Sequence, residues 1–159
     1  MSFQLSLSAE SVSAAYPDEP LFVAPAATVG EVLQLLRAQQ QASVLICEGD
    51  TPGHGKLLGI FTERDALIWV AAGKDLQEPI TNAMSRDPAS LQASTSVSEA
   101  IRMMSEGKYR RLPILAADGT PCGLATVRGI IHHLVDHFPQ TIYNLPPTPK
   151  PIQSEREGA

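Results

Sequence analysis

Apolar positions recur three and four residues apart in two places along the chain. Val29, Val32, Leu33 and Leu36 form one stripe, and Val97, Ala100, Ile101 and Met104 form the other. That spacing predicts two amphipathic helices, each with one buried face. Each stripe opens on a hydroxyl followed three residues later by a carboxylate, Thr28 with Glu31 and Ser96 with Glu99, which is the pattern of a capping box. Gly107 is the predicted stop of the second helix. A short apolar run follows each helix, "SVLIC" and "RLPIL", too short for a helix and read as a buried strand. A turn rich in Gly, Pro and Asp leads to a second strand, "LLGIF" in one case and "CGLAT" in the other. A second helix closes each set, "ALIWVAA" and "IIHHLVDHF".

The two sets are copies. Thr28 falls on Ser96, Val29 on Val97, Glu31 on Glu99 and Ile46 on Ile114, an offset of 68 residues that Pro20 and Pro88 keep upstream. Past the turn the offset is 64, because Gly59 pairs with Gly123, so the first copy carries four extra residues in "EGDTPGHGK". An exposed hairpin tip tolerates such variation. Two copies of one supersecondary unit must bury their apolar faces together. The resulting division is a first repeat over 16–78 and a second over 79–139. Residues 1–15 are expected to form a loose, flexible N-terminal segment. The Pro-rich tail, 140–159, is too poor in apolar residues to fold alone.

Composition narrows the class. With 159 residues, 43% hydrophobic and 18% charged, the chain is long enough to bury a core without staples. A net charge of −5 argues against nucleic acid held through its phosphates. Cys47 and Cys122 lie in separate apolar runs and are read as buried thiols of a reducing compartment. The start "MSFQLSLSAE" lacks the basic and apolar regions of a signal peptide. No run approaches the ~18 apolar residues of a membrane span. A soluble, cytoplasmic protein with no membrane partner is expected.

The candidate chemistry centres on "LLGIFTERD", where Thr62 and Asp65 stand at a strand-to-helix junction. They read either as a helix cap or as a ligand clamp at the strand's carboxyl end. "GHGK" suggests a phosphate loop but fails it, since Asp50 and Leu57 stand where Gly and Ser or Thr are required. His132, His133 and His137 lie on a predicted helix, and a metal there would need further ligands from elsewhere. Trp69 is read as an apolar anchor. No Ser-His-Asp or Cys-His spacing is recognisable.

The helices "TVGEVLQLL" and "SVSEAIRMM", the stretch "YRRLPI" and above all "LLGIFTERDAL" resemble a pair of CBS domains, the Bateman module, of the stand-alone bacterial type, over about residues 16 to 138. The resemblance implies an α/β (α+β) fold of two tandem β-α-β-β-α repeats, related by a pseudo-two-fold axis and enclosing two clefts. It implies a regulatory module and not an enzyme, with no required cofactor. The ligand would be an adenine nucleotide (AMP, ADP or ATP, less commonly NAD or S-adenosylmethionine). The module would form a homodimer and signal to a separate effector protein. The alternative is a ligand-free scaffold acting through homodimerisation and protein interaction.

The resemblance also assigns residues. It implies that Asp65 accepts from the ribose hydroxyls, with Thr62 and the helix N-terminus toward phosphate. An ionised carboxylate suits this because it is an acceptor with two oxygens. Arg110, Arg111 and Arg128 would meet the phosphates, as arginine forks fit phosphate oxygens, while Lys108 belongs to a solvated face. Val44 and Ile60 would flank the adenine, or serve simply as core. The second copy departs from the pattern at Gly129, which stands where Asp65 does in the first. The second cleft is therefore expected to be empty or to bind weakly. The first copy lacks the Leu-Pro of "RRLPI" and has Val44-Leu45 there.

Overall fold

Thr28 and Ser96 start their helices as the capping pattern predicts. In the structure, a computed structural model that describes residues 3–139, Thr28 Oγ1 accepts from the Glu31 N–H at 3.2 Å, and the Glu31 carboxylate accepts from the Thr28 N–H at 2.8 Å. This opens α2 (Val29–Gln39). Ser96 caps α4 (Val97–Gly107) in the same way at 3.2 Å. The Glu99 carboxylate, however, takes bonds from Arg102, so the second box is half built. Both helices end on a left-handed residue at the same place in the repeat, Gln40 with φ 52° and Lys108 with φ 55°. The stop is thus one residue beyond Gly107.

Each apolar run becomes a strand. β1 (Phe22–Val23), β2 (Ser43–Cys47), β3 (Leu57–Thr62) and β4 (Ser85–Arg86) form a sheet in that order. β5 (Leu91–Gln92), β6 (Arg111–Leu115) and β7 (Pro121–Thr126) form the second. β1 and β5 run parallel to their neighbours, and each hairpin is antiparallel. Gly59 stands opposite Ile46 and Gly123 opposite Ile114, with a register irregularity one residue further on in both. The shared register fixes the offset of 64 residues past the turn. α3 (Glu63–Ala71) and α5 (Val127–His137) follow β3 and β7.

The sheets face each other across Leu45, Ile60 and Leu124, with Phe22 and Leu57 against them. Each outer face is covered by its own helices. Val29, Val32, Val44 and Phe61 are buried on one side, and Val97, Ala100, Leu112 and Ile130 on the other.

The repeats exchange their leading segments. A single 3-10 turn at Ile80–Asn82 docks back on the first repeat, and its counterpart 68 residues earlier, Val12–Ala14, docks on the second. The backbone bonds match residue by residue. Ile80 N–H donates to Ala27 O and Val12 N–H to Thr95 O, each at 2.7 Å, while Val29 N–H donates to Glu78 O and Val97 N–H to Glu10 O, each at 2.9 Å. The expected loose N-terminal segment is therefore corrected for its described part. α1 (Phe3–Ala9) lies along α4, and Leu7, Val12 and Ala15 are buried in the second repeat's core. The segment is ordered because it completes a face that the second repeat cannot close alone. The Pro-rich tail of 140–159 lies outside the described residues.

Candidate functional site

The junction of β3 and α3 carries the two residues that the motif singles out. Thr62 ends the strand in extended conformation and caps the helix. Its Oγ1 accepts from the Asp65 N–H at 3.4 Å and donates to Asp65 Oδ2 at 2.8 Å, while Thr62 N–H donates to the same Oδ2 at 2.8 Å. The capping reading is therefore correct in geometry. It leaves Asp65 Oδ1 directed elsewhere, and that oxygen accepts from Ser85 Oγ of β4 at 3.1 Å. The carboxylate is half-buried at the edge of a cleft, with one oxygen holding the helix start and the other meeting a donor from the neighbouring strand.

That cleft has a volume of about 770 Å³. Ile60, Thr62 and Asp65 form one side, Ser85 and Arg86 a second, and the run Lys108 to Arg111 closes it from the other repeat, with Pro113 behind. Among the described residues lining it, five carry cationic side chains (Arg64, Arg86, Lys108, Arg110 and Arg111) against three carboxylates (Glu63, Asp65 and Asp87). A cationic excess in a chain of net charge −5 concentrates anions locally. The start of α3 adds its own preference for negative charge.

A second cleft, also about 770 Å³, lies at the matching junction of β7 and α5. Thr126 caps α5, accepting from the Gly129 N–H at 3.0 Å. The wall facing it is Gln40, Gln41 and Ala42, neutral where the first cleft has Lys108, Tyr109 and Arg110. Gly129 has a steric reason. A Cβ placed there would intrude on the backbone carbonyl oxygen of Tyr16, with that of Ala15 close behind. The exchanged N-terminal segment occupies the room that a carboxylate would need, so the position takes no side chain.

The structure brings Thr62, Asp65, Ile60, Arg110 and Arg111 to the first cleft. It does not bring Arg128 there, which lines the second cleft beside Thr126. Val44 lines neither. It is fully buried against the helix layer, while its neighbour Leu45 points to the inter-sheet face. Lys108, assigned to a solvated face, stands in the cleft wall. Ser85 and Arg86 escaped the sequence reading. The signal available was "SRD", directly ahead of the Pro88 that matches Pro20.

The histidines do structural work. His133 is buried with Nε2 2.6 Å from the Glu10 carboxylate, His137 Nδ1 lies 3.0 Å from the His133 carbonyl, and Tyr16 stacks on His132 while its hydroxyl donates to Asp136 at 2.9 Å. They tie the N-terminal segment to α5. Among the described residues, no group of three or more His, Cys, Asp or Glu could hold a metal ion. No helix there is long and apolar enough to cross a membrane. Trp69 is buried in the first core, its indole N–H donating to the Asp75 carbonyl at 3.1 Å.

Two stretches, residues 12–72 and 78–136, match the family model of the CBS domain. An uncharacterized 17.7 kDa protein of Acidianus ambivalens is 25% identical over 114 residues, covering 72% of this chain and 66% of that one. Among the curated relatives it matches, the chain spans between 17% and 66% of their length. Two solved structures share the fold. CBSX2 in complex with AMP superposes with a TM-score of 0.68 at 22% identity, covering 79% of this chain and 96% of its own. A CBS domain protein from Pyrobaculum aerophilum complexed with AMP gives 0.69 at 21% identity, covering 80% and 99%.

Proposed function

The chain belongs to the CBS-domain family as a pair of repeats, and from that premise we propose that it is a regulatory, non-catalytic module that binds an adenine nucleotide in the first cleft. The observation that carries the reading is the Asp65 carboxylate, held at the helix start and facing a wall of cations. The ribose hydroxyls take the place of Ser85 Oγ at Asp65 Oδ1. Arg110 and Arg111, with Lys108, meet the phosphates, and Ile60 with Pro113 flanks the adenine. The AMP held by the two structural relatives supports the ligand class.

Regulation then runs from nucleotide occupancy to a separate effector protein. Exposed apolar side chains on α3 (Leu67, Ile68 and Val70) and on α5 (Ile131) favour a homodimer through these helices, since such residues side by side are costly in water. The same face would serve the alternative, a scaffold with empty clefts.

The test is a thermal-shift series with AMP, ADP, ATP, NAD and S-adenosylmethionine. A ligand that binds only the folded chain stabilises it by about 2.7 kcal/mol at a hundredfold excess over its Kd. We expect AMP, ADP or ATP to raise the melting temperature. No shift with any of the five would overturn the nucleotide reading in favour of the scaffold.

A further inference from the structure

Arg110 and Arg111 line both clefts, and so does Glu63. We propose that the arginine pair is a single anion-binding centre common to the two clefts, taking the phosphate tail of a ligand in either. A phosphate group held there for one cleft is then denied to the other. The inference rests on the nucleotide reading above and deepens it.

The backbone explains why one pair serves two sites. Val127 N–H, at the start of α5, donates to the Arg110 carbonyl at 3.1 Å, and Glu63 N–H, at the start of α3, donates to the Ala42 carbonyl at the same distance. These are equivalent bonds in the two repeats. Arg111 stands opposite Thr126 in the β6–β7 ladder, as Ser43 stands opposite Thr62 in the β2–β3 ladder. The backbone plan is thus duplicated while the charge is not. The second repeat contributes Arg110 and Arg111, and the first contributes Ala42 and Ser43 in their places. A second phosphate approaching the arginines finds them neutralised by the first, and Glu63 beside them repels it further. The N-termini of α3 and α5 favour an anion at the same meeting place.

Calorimetric titration of the full chain tests this with pyrophosphate as the probe. We expect one pyrophosphate per chain. Saturating pyrophosphate should weaken AMP on the order of tenfold, within the ordinary range of coupling between sites, and leave adenosine, which has no phosphate, nearly unchanged. Replacing both arginines (Arg110→Ala with Arg111→Ala) should abolish pyrophosphate binding and the antagonism together, with circular dichroism showing that the variant is folded. Two independent pyrophosphates per chain, or AMP affinity indifferent to pyrophosphate, would overturn the shared centre. Pyrophosphate binding once per chain while neither adenosine nor AMP binds would sink the nucleotide reading and leave the anion centre standing. The wild-type measurements decide the question even where the double variant fails to fold.

Discussion

Asp65 serves two structures with one side chain, and its two oxygens divide the work. Oδ2 takes the N–H and hydroxyl of Thr62, and Oδ1 takes the hydroxyl of Ser85 on the neighbouring strand β4. Asp65→Ala should therefore lose both functions. Losing the carboxylate half of the capping box, with Thr62 still in place as the N-cap, costs about 0.3–1.5 kcal/mol of stability, and losing hydrogen bonds to a charged acceptor costs about 1.5–3 kcal/mol of binding, roughly ten- to a hundredfold in affinity. Asp65→Asn separates them, because the amide keeps one oxygen for the cap and loses the charge. Its melting temperature should stay near the wild type while AMP affinity falls as far as in Asp65→Ala. Unchanged AMP affinity in a folded Asn variant would reduce Asp65 to a cap. At this scale the sequence was legible where chemistry is local. Thr62 and Asp65 lie three apart on one turn, and Arg110 and Arg111 abut a strand. Val44 was misplaced because "SVLIC" is apolar throughout and offers no alternation to say which face each residue takes; all five of its residues are buried. Ser85 and Arg86 were missed because β4 reaches the site only by pairing with β3, 20 or more residues away in sequence.

The helices were the most legible elements, since an apolar stripe and a cap are both written within a few residues. The two caps nonetheless differ in what their carboxylates do. Bonds from the Thr28 N–H and hydroxyl hold the Glu31 carboxyl below the usual carboxylate range, while Glu99 is lowered by Arg102. A carboxyl whose ionisation is depressed on folding adds stability at neutral pH, above its unfolded value. That contribution disappears as acid carries the pH down through the folded value. Glu31→Gln should therefore melt below the wild type at pH 7, and the gap should close as the pH falls through and below the carboxylate range. A gap that stays constant across that range would assign the loss to packing and not to the charged cap. α1 was not legible in the same way. "FQLSLSA" carries no acidic first turn or basic last turn, and its register becomes meaningful only against α4.

At the scale of the whole molecule, the exchanged segments decide what a repeat is. Ile80 and Met84 lie past the boundary drawn from the sequence yet complete the first core, as Val12 and Ala15 complete the second. A boundary near 78 thus divides the sequence but not the packing. The internal offset was visible in the sequence, whereas the crossing was not, because nothing in a repeat pattern says which copy a leading segment joins. The same crossing makes the two clefts unequal, since the Tyr16 carbonyl stands where a side chain at Gly129 would go. Removing residues 1–15 should consequently damage the second repeat and not merely shorten the chain. Leu7 and Val12 are 6% and 1% exposed, and their burial is worth on the order of 3–6 kcal/mol together, an upper figure because the unfolded chain already hides some of that surface. Against a total stability of about 5–15 kcal/mol this is a large share. At about 2–4 °C per kcal/mol for a chain of this size, the truncated protein should melt roughly 10 °C lower, with Leu112 and Ile130 newly exposed to solvent. The Glu10–His133 contact, at 2.6 Å in the intact chain, goes with it. Hydrogen exchange should show the loss concentrated in α4, α5 and β6, with β2 and β3 protected as before. A truncated chain that melts with the wild type, or loses protection equally in both repeats, would contradict the docking of the N-terminal segment on the second repeat alone.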